Sequence, residues 1–332
     1  YNEFDYSITL PEGNIAYIHS QNGLGKTTVL TLVSRVLEGN IDVVRAMPFE
    51  RLELTFDSGA DLVVTRDKGD VRVVVKQNRM EERLQGDDIR GVLPVTFLSP
   101  ERTVLSKYGG LVNAVDLYID ELKDLVQKAN AECDLEAVPD GELKEMRDYE
   151  LESWCKDIKA QMEYIKQAGF EPRIPGGFRF PPSRYDISQN LKGYNYLAHS
   201  LKRFVDSHYR VAESIIILLD IMNKMFVNKT IYINEAGMLP SRMNNGCVVP
   251  CSRMSSGEKQ VFVMFYNLLF KAPNSSLVLI DEPEISLHVT WQHMLGKLFS
   301  EIANLRDLQL IVTTHSPQII HDDWDLAVEF KA

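Results

Sequence analysis

Hydrophobic positions along this chain fall into three regimes. Over residues 1–105 the apolar runs are short. Asn14-Ile15-Ala16-Tyr17-Ile18 leads into a glycine loop, and beyond Lys26 the residues Val29, Leu32, Val33, Val36 and Leu37 recur at helical spacing. Strand, loop and helix are therefore expected in that order. Arg51–Phe56 alternates with period two and Val71–Val75 does so in part, with Ser58-Gly59 and Lys68-Gly69-Asp70 punctuating the two as turns. These predict an antiparallel sheet beside the strand–loop–helix unit.

The period then lengthens. Residues 111–131 and 142–167 read as helices rich in Glu, Lys, Leu and Asp, and a second helical run covers 187–227. Ile174-Pro175-Gly176-Gly177 and Pro181-Pro182 mark a turn or linker between them. Ile215–Leu219 is apolar, short and flanked by charge, which fits a buried helix. Heptads are not sustained, so a compact helical insertion or a short arm is expected over 106–230 rather than a long coiled coil. From 231 onward Ser275–Ile280 and Leu308–Thr313 are continuous apolar strands alternating with helical patterns, the mark of a parallel sheet covered on both faces. The expected division is 1–105, 106–230 and 231–332.

Composition narrows the class. With 332 residues, 45% hydrophobic and 25% charged, the chain is of ordinary globular make-up. It holds no apolar run of about 18 residues, so a membrane-spanning helix and a transporter role are disfavoured. Tyr1-Asn2-Glu3 lacks a basic and apolar leader, and four cysteines in a chain this long suggest free thiols; a cytoplasmic location is expected. Cys247 and Cys251 are spaced C-x3-C without further ligands, and ordinary thiols are the better reading than zinc. The net charge of −11 argues against broad nucleic-acid affinity, and residues 111–170 carry most of it, with 15 acidic and 7 basic side chains. That acidic module suits a protein partner or simply a solvated face.

The candidate chemistry lies in four places. Asn22-Gly23-Leu24-Gly25-Lys26-Thr27-Thr28 follows the first strand, as a phosphate loop requires: backbone N–H groups and a helix N-terminus gather the phosphates. Lys26 is placed for the β and γ phosphates and Thr27 for Mg²⁺. Ser20 stands where the GxxxxGK[ST] pattern expects glycine. Asp281 and Glu282 end an apolar strand, with Asp281 a candidate for Mg²⁺ and Glu282 for polarising the attacking water. His315 follows the next apolar strand. Ser255-Ser256-Gly257-Glu258-Lys259-Gln260 opens a helical pattern and offers Ser255, Gly257 and Glu258 as a second anion site.

Together the phosphate loop, Met254–Glu258, Asp281-Glu282-Pro283 and Thr314-His315-Ser316-Pro317 resemble the ABC-type ATPase head. The resemblance implies an α/β fold: a parallel-sheet nucleotide core, an antiparallel β subdomain, and a helical insertion between the Walker A loop and the signature. It implies ATP and Mg²⁺ as cofactors and a homodimer in which the signature of one subunit caps the γ-phosphate held by the loop of the other. Ser255 and Gly257 match the serine and second glycine of LSGGQ, Met254 and Ser256 depart from it, Glu284–His288 matches the D-loop, and His315 matches the switch histidine. A Q-loop glutamine is absent from Phe97–Arg102; Ser99 or Glu101 is the candidate there, and Arg102 is a candidate inter-lobe salt bridge.

Within this superfamily the insertion is similar to the SMC-like and OLD-type ATPases, and the ending resembles the Septu-type ATPases of bacterial anti-phage systems, which act beside an HNH nuclease. An OLD-type nuclease would continue into a Toprim domain, whereas 17 residues follow His315 and His321, Asp322, Asp323 and Asp325 read as a solvated turn. The leading expectation is an ATPase switch controlling an associated nuclease, with no nuclease activity of its own. Two alternatives stay open. One is an SMC-like ATPase clamping DNA through a patch such as Arg66, Lys68, Arg72 and Lys76; the other is a nucleotide-sensing scaffold with little turnover.

Overall fold

The computed structural model describes residues 5–21, 23–107, 110–131, 146–234 and 236–331. In chain order the first elements are β1 (Ile15–His19), α1 (Lys26–Leu37), α2 (Ile41–Ala46), β2 (Arg51–Thr55), β3 (Asp61–Asp67), β4 (Asp70–Gln77), β5 (Met80–Leu84), α3 (Gly86–Arg90) and β6 (Val95–Leu98). There follow β7 (Val104–Lys107), β8 (Gly110–Asn113), α4 (Ala114–Ala131), α5 (Asp148–Lys166), α6 (Arg184–Gln189) and α7 (Leu191–Met225). The chain closes with β9 (Lys229–Ile231), β10 (Pro240–Met243), β11 (Val248–Pro250), α8 (Ser256–Tyr266), β12 (Leu277–Asp281), α9 (Val289–Arg306), β13 (Gln309–Thr314), α10 (Pro317–Ile320) and β14 (Ala327–Glu329). Two compact units result: residues 1–102 with 264–332, and residues 103–263. Residues 231–263, the Ser255–Gln260 segment included, group with the helical segment in the second unit.

The first unit is mixed α/β. Its core is a parallel sheet ordered β14-β1-β13-β12-β6. β12 is buried at all five positions, as the continuous apolar run requires for a strand covered on both faces. A separate antiparallel sheet, β2-β3-β4-β5, supplies Leu62, Val64, Val71 and Val73 to a cluster with Leu30, Val36 and Leu37 of α1 and Leu277 and Leu279 of β12. Alternation thus buries one face of the hairpins against α1.

The strand order decides what meets at the carboxyl edge. β13 lies between β1 and β12, so the loop after β1, the residue after β13 and the residues ending β12 are neighbours, where parallel α/β sheets place their ligands.

In the second unit α5 and α7 run side by side in the same direction. Trp154 meets His199 edge-on at 4.8 Å, and ten residues further along both helices Tyr164 stacks on Tyr209 at 5.3 Å. Equal steps in the same sense mean a parallel pair, with the Pro/Gly-rich stretch returning the chain between them. α7 buries Leu197, Leu201, Phe204, Ala212, Ile215, Leu218 and Met222 along one stripe, at the spacing of a helix with a single covered face. A three-stranded antiparallel sheet, β11-β10-β9, completes the unit. Among the described residues no helix is long and apolar enough to cross a membrane.

Candidate functional site

The phosphate-binding candidate forms where β1 ends. Gly23 and Gly25 both have φ of +86°, the left-handed region that a side chain resists, so glycine is required at these two turns. Gly25 thereby starts α1, and Lys26 becomes its first residue, 6% exposed. Thr27 is exposed in the same first turn, Gly23 is exposed, and Thr28 is half-buried. Asn22 lies outside the described residues.

The Lys26 ammonium donates to Ser20 Oγ at 2.8 Å and lies 2.9 Å from His315 Nε2. Ser20, the departure from the glycine pattern, is thus a partner of the loop lysine. An ammonium only donates, so His315 Nε2 is the acceptor of this contact. Burial pushes the Lys26 pKa down, against the opposing charges of Glu282, Asp281 and Glu284. His315 Nε2 is also 3.4 Å from Glu282 Oε1. Lys26, His315 and Glu282 thus stand in line across three neighbouring strands.

Asp281 is fully buried at the end of β12. One carboxylate oxygen accepts the Thr313 hydroxyl; the other, Oδ2, is buried and has no hydrogen-bond partner. A buried carboxylate oxygen left in this way costs free energy unless a cation or donor meets it. A hard oxygen of this kind, together with the exposed Thr27 hydroxyl, is the donor chemistry that Mg²⁺ takes, so the residues fit that ion.

The turn after β12 is unusual. Glu282 has φ of +46° and Ser286 of +65°. For residues with a side chain this region costs about 1–3 kcal/mol and persists only where surroundings impose it. Glu282 N donates to Thr313 O at 3.0 Å. Glu284 Oε1 accepts the Thr314 hydroxyl at 2.8 Å and the His315 amide at 2.6 Å, tying the two loops together, while its Oε2 is buried without a partner. Nothing in the D-loop likeness marked Glu284 for this role.

Arg102 differs from expectation. It is 4% exposed and, among the described ion pairs, has no carboxylate partner; its guanidinium donates to four backbone carbonyls. Burial lowers its pKa to about 10, against the opposing charges of Glu284 and Asp281. The inter-lobe salt bridge is therefore replaced by a clamp on the turn after β12. Ser99 offers its carbonyl to Arg102, and Glu101 is exposed.

In the second unit, Ser255 precedes α8. Glu258 Oε2 accepts the Ser255 amide at 2.7 Å and the Lys229 ammonium at 2.8 Å, and the Glu258 amide reaches back to Ser255 Oγ at 3.5 Å. This reciprocal pattern is a capping box, reinforced by an ion pair whose side chains are 13% and 14% exposed. Gly257 follows in the first turn of α8, where backbone N–H groups have no helical partners.

Arg66 pairs across the hairpin with Val71 and donates to Arg45 O, on the face opposite Arg72 and Lys76. Arg72 and Lys76 in turn stand near Glu81 and opposite Asp61, so Arg66 shares no face with them. Cys247 is exposed and Cys251 buried, and no group of His, Cys, Asp or Glu among the described residues could hold a metal through three or more ligands. Cys133 lies outside the described residues.

A family model described as "AAA domain, putative AbiEii toxin, Type IV TA system" matches residues 177–321, a span holding the signature, Asp281-Glu282 and His315. An 80-residue stretch is 32% identical to the "Retron Ec83 probable ATPase" of Escherichia coli, covering 21% of this chain and 14% of that relative. Among solved structures, the SMC head domain of Pyrococcus furiosus with an extended coiled coil, bound to the C-terminal domain of ScpA, aligns at 14% identity and a TM-score of 0.43, over 94% of this chain and 86% of that one. The SMC head domain of Thermotoga maritima aligns at 12% and 0.36, over 94% and 84%. A dimeric bacterial ABC transporter cassette aligns at 12% and 0.37, over 98% and 84%. The family match and the retron relative support an ATPase; the shape alignments are distant.

Proposed function

We propose that this chain is an ATP-hydrolysing switch of the ABC/SMC-like type, acting as a head-to-head homodimer around two Mg-ATP. The observation that carries the reading is the meeting of Lys26, His315 and Glu282 at the carboxyl edge of the sheet, beside the unpartnered oxygen of Asp281. Gly23, Gly25 and Lys26, with Asn22 and Thr28, hold the phosphates, and Lys26 neutralises the γ-phosphate. Asp281 and Thr27 hold Mg²⁺, which when bound supplies charge stabilisation to the transferring phosphoryl group. Glu282 accepts the proton of the attacking water, and His315 orients against the γ-phosphate. A phosphate arriving at Lys26 competes with His315 for the ammonium, which gives the histidine two positions and makes it a reporter of the nucleotide. The partner copy's Ser255, Gly257 and Glu258 segment closes each site, since the first turn of a helix offers backbone N–H groups to an anion.

The retron relative and the toxin–antitoxin description favour a bacterial anti-phage role, in which the switch controls an associated nuclease such as an HNH enzyme docked on the helical unit. The placement of Arg66 on the face opposite Arg72 and Lys76 counts against a DNA clamp through that sheet. Glu282→Gln tests the reading: ATP binding and ATP-dependent dimerisation persist in size-exclusion experiments while phosphate release falls at least about 100-fold, in the range expected when a positioned base is lost. Unchanged turnover would remove Glu282 from its role.

A further inference from the structure

Arg102 is where the structure departs furthest from its sequence motif. Its Nη1 donates to Ser99 O at 3.1 Å and to Asp281 O at 3.3 Å; its Nη2 donates to Glu282 O at 3.4 Å and to Pro283 O at 3.3 Å. Three of these acceptors are consecutive, and the middle one belongs to Glu282, the residue held at φ +46°. A planar fork with several N–H groups in fixed geometry suits three carbonyls fanned around one turn; a lysine, with a single point charge, does not. The Glu282 carbonyl also accepts the Ile285 amide at 3.3 Å, so the turn has two anchors, one local and one from a residue 180 positions away.

A buried guanidinium without a carboxylate partner among the described residues is not a stabilising device by default, because its desolvation must be offset by backbone hydrogen bonds and the nearby charges of Glu284 and Asp281. The simplest return for that cost is conformational. With the carbonyls of 281, 282 and 283 all turned toward one group, Glu282 is denied the extended continuation of β12 and kept in the left-handed turn that brings its carboxylate beside His315.

We propose that Arg102 is a positioning residue for Glu282: its guanidinium fixes the backbone of the turn after β12 and thereby aims the carboxylate at the site of water attack. The proposal rests on the ATPase reading for its kinetic consequence, whereas the clamp itself is a statement about the backbone alone.

The test uses the full chain with Arg102→Lys and Arg102→Leu, in the wild-type and Glu282→Gln backgrounds. If Arg102 acts through Glu282, Arg102→Lys lowers kcat at least tenfold, while the dissociation constant for a fluorescent ATP analogue with Mg²⁺ stays within threefold. In the Glu282→Gln background the same change adds nothing further. A kcat within twofold of wild type, or a loss that multiplies undiminished onto Glu282→Gln, overturns the proposal.

Amide hydrogen exchange of the nucleotide-free protein gives a second arm. Both variants should speed exchange at Ile285 at least tenfold, leaving the β3–β4 hairpin unchanged; unaltered exchange at Ile285 overturns the clamp, even where Arg102→Leu folds poorly and only Arg102→Lys is measurable. Wild-type chain that releases no phosphate under any condition defeats the ATPase reading instead, and hydrogen exchange then decides the clamp alone.

Discussion

Asp281 and Glu258 are both carboxylates at the end of a secondary element, and their surroundings are opposites. Glu258 has its cation and its donor within the chain: Lys229 and the Ser255 amide both reach Oε2, at 2.8 and 2.7 Å. Asp281 is buried completely, shares one oxygen with Thr313 and leaves the other without a partner. The Glu258 end is thus finished before any ligand arrives, while the Asp281 end carries an electrostatic debt that a cation from outside would relieve. One end is built to present a surface, the other to be changed by what binds.

The largest expected effect follows from that debt. Mg-ATP at 100 times its dissociation constant should stabilise the chain by about 2.7 kcal/mol, seen as a rise in Tm that Mg²⁺-free ATP does not match. Asp281→Asn should abolish the Mg²⁺-dependent part of this rise. It should also leave the nucleotide-free protein close to wild type in stability, because the unpartnered carboxylate oxygen is removed while the Thr313 contact can remain. A nucleotide-free Asp281→Asn protein that melts well below wild type contradicts the comparison.

A loss of stability is expected at the other end. Lys229→Met strands Glu258 beside the start of α8, and loss of one hydrogen-bonded member of a buried charged pair should cost about 2 kcal/mol in urea unfolding. Adding Glu258→Gln to Lys229→Met should recover most of it, because the amide still accepts from Ser255 N without a charge to compensate. Simple addition of the two single-variant losses would show that the pair is not coupled.

How far these ends could be read in advance depends on distance along the chain. The phosphate loop, Asp281-Glu282 and His315 are contiguous motifs on strand ends, and alternating or continuous apolar runs are enough to place them at a sheet edge. The partners that complete them are not local. Arg102 lies 179 residues from Asp281, and Lys229 lies 29 from Glu258, so only strand order and loop packing bring them together.

Ser20 looked like a blemish in a glycine pattern because the pattern records backbone freedom and not the hydroxyl that Lys26 uses. The parallel sense of α5 and α7 was hidden for another reason: helical periodicity marks which face is covered and says nothing about direction. The grouping of Arg66 with Arg72 failed because the turn between them changes which face each strand position occupies, and register is invisible to a list of basic residues.

The smallest effect concerns the cap itself. Ser255→Ala removes the hydroxyl that receives the Glu258 amide, but that contact is long at 3.5 Å, and the Glu258 half of the capping box remains at 2.7 Å. Unfolding free energy should fall by about 0.5–1 kcal/mol, the lower part of the range for losing an N-cap. Ser255→Thr should restore it. If the hydroxyl were held only for folding, ATP turnover would follow this small change. In the proposed dimer it faces the partner's nucleotide, so Ser255→Ala should weaken ATP-dependent dimerisation by at least tenfold while the monomer's affinity for nucleotide is unaltered. Equal, slight losses in stability and in dimerisation would confine Ser255 to the helix it begins.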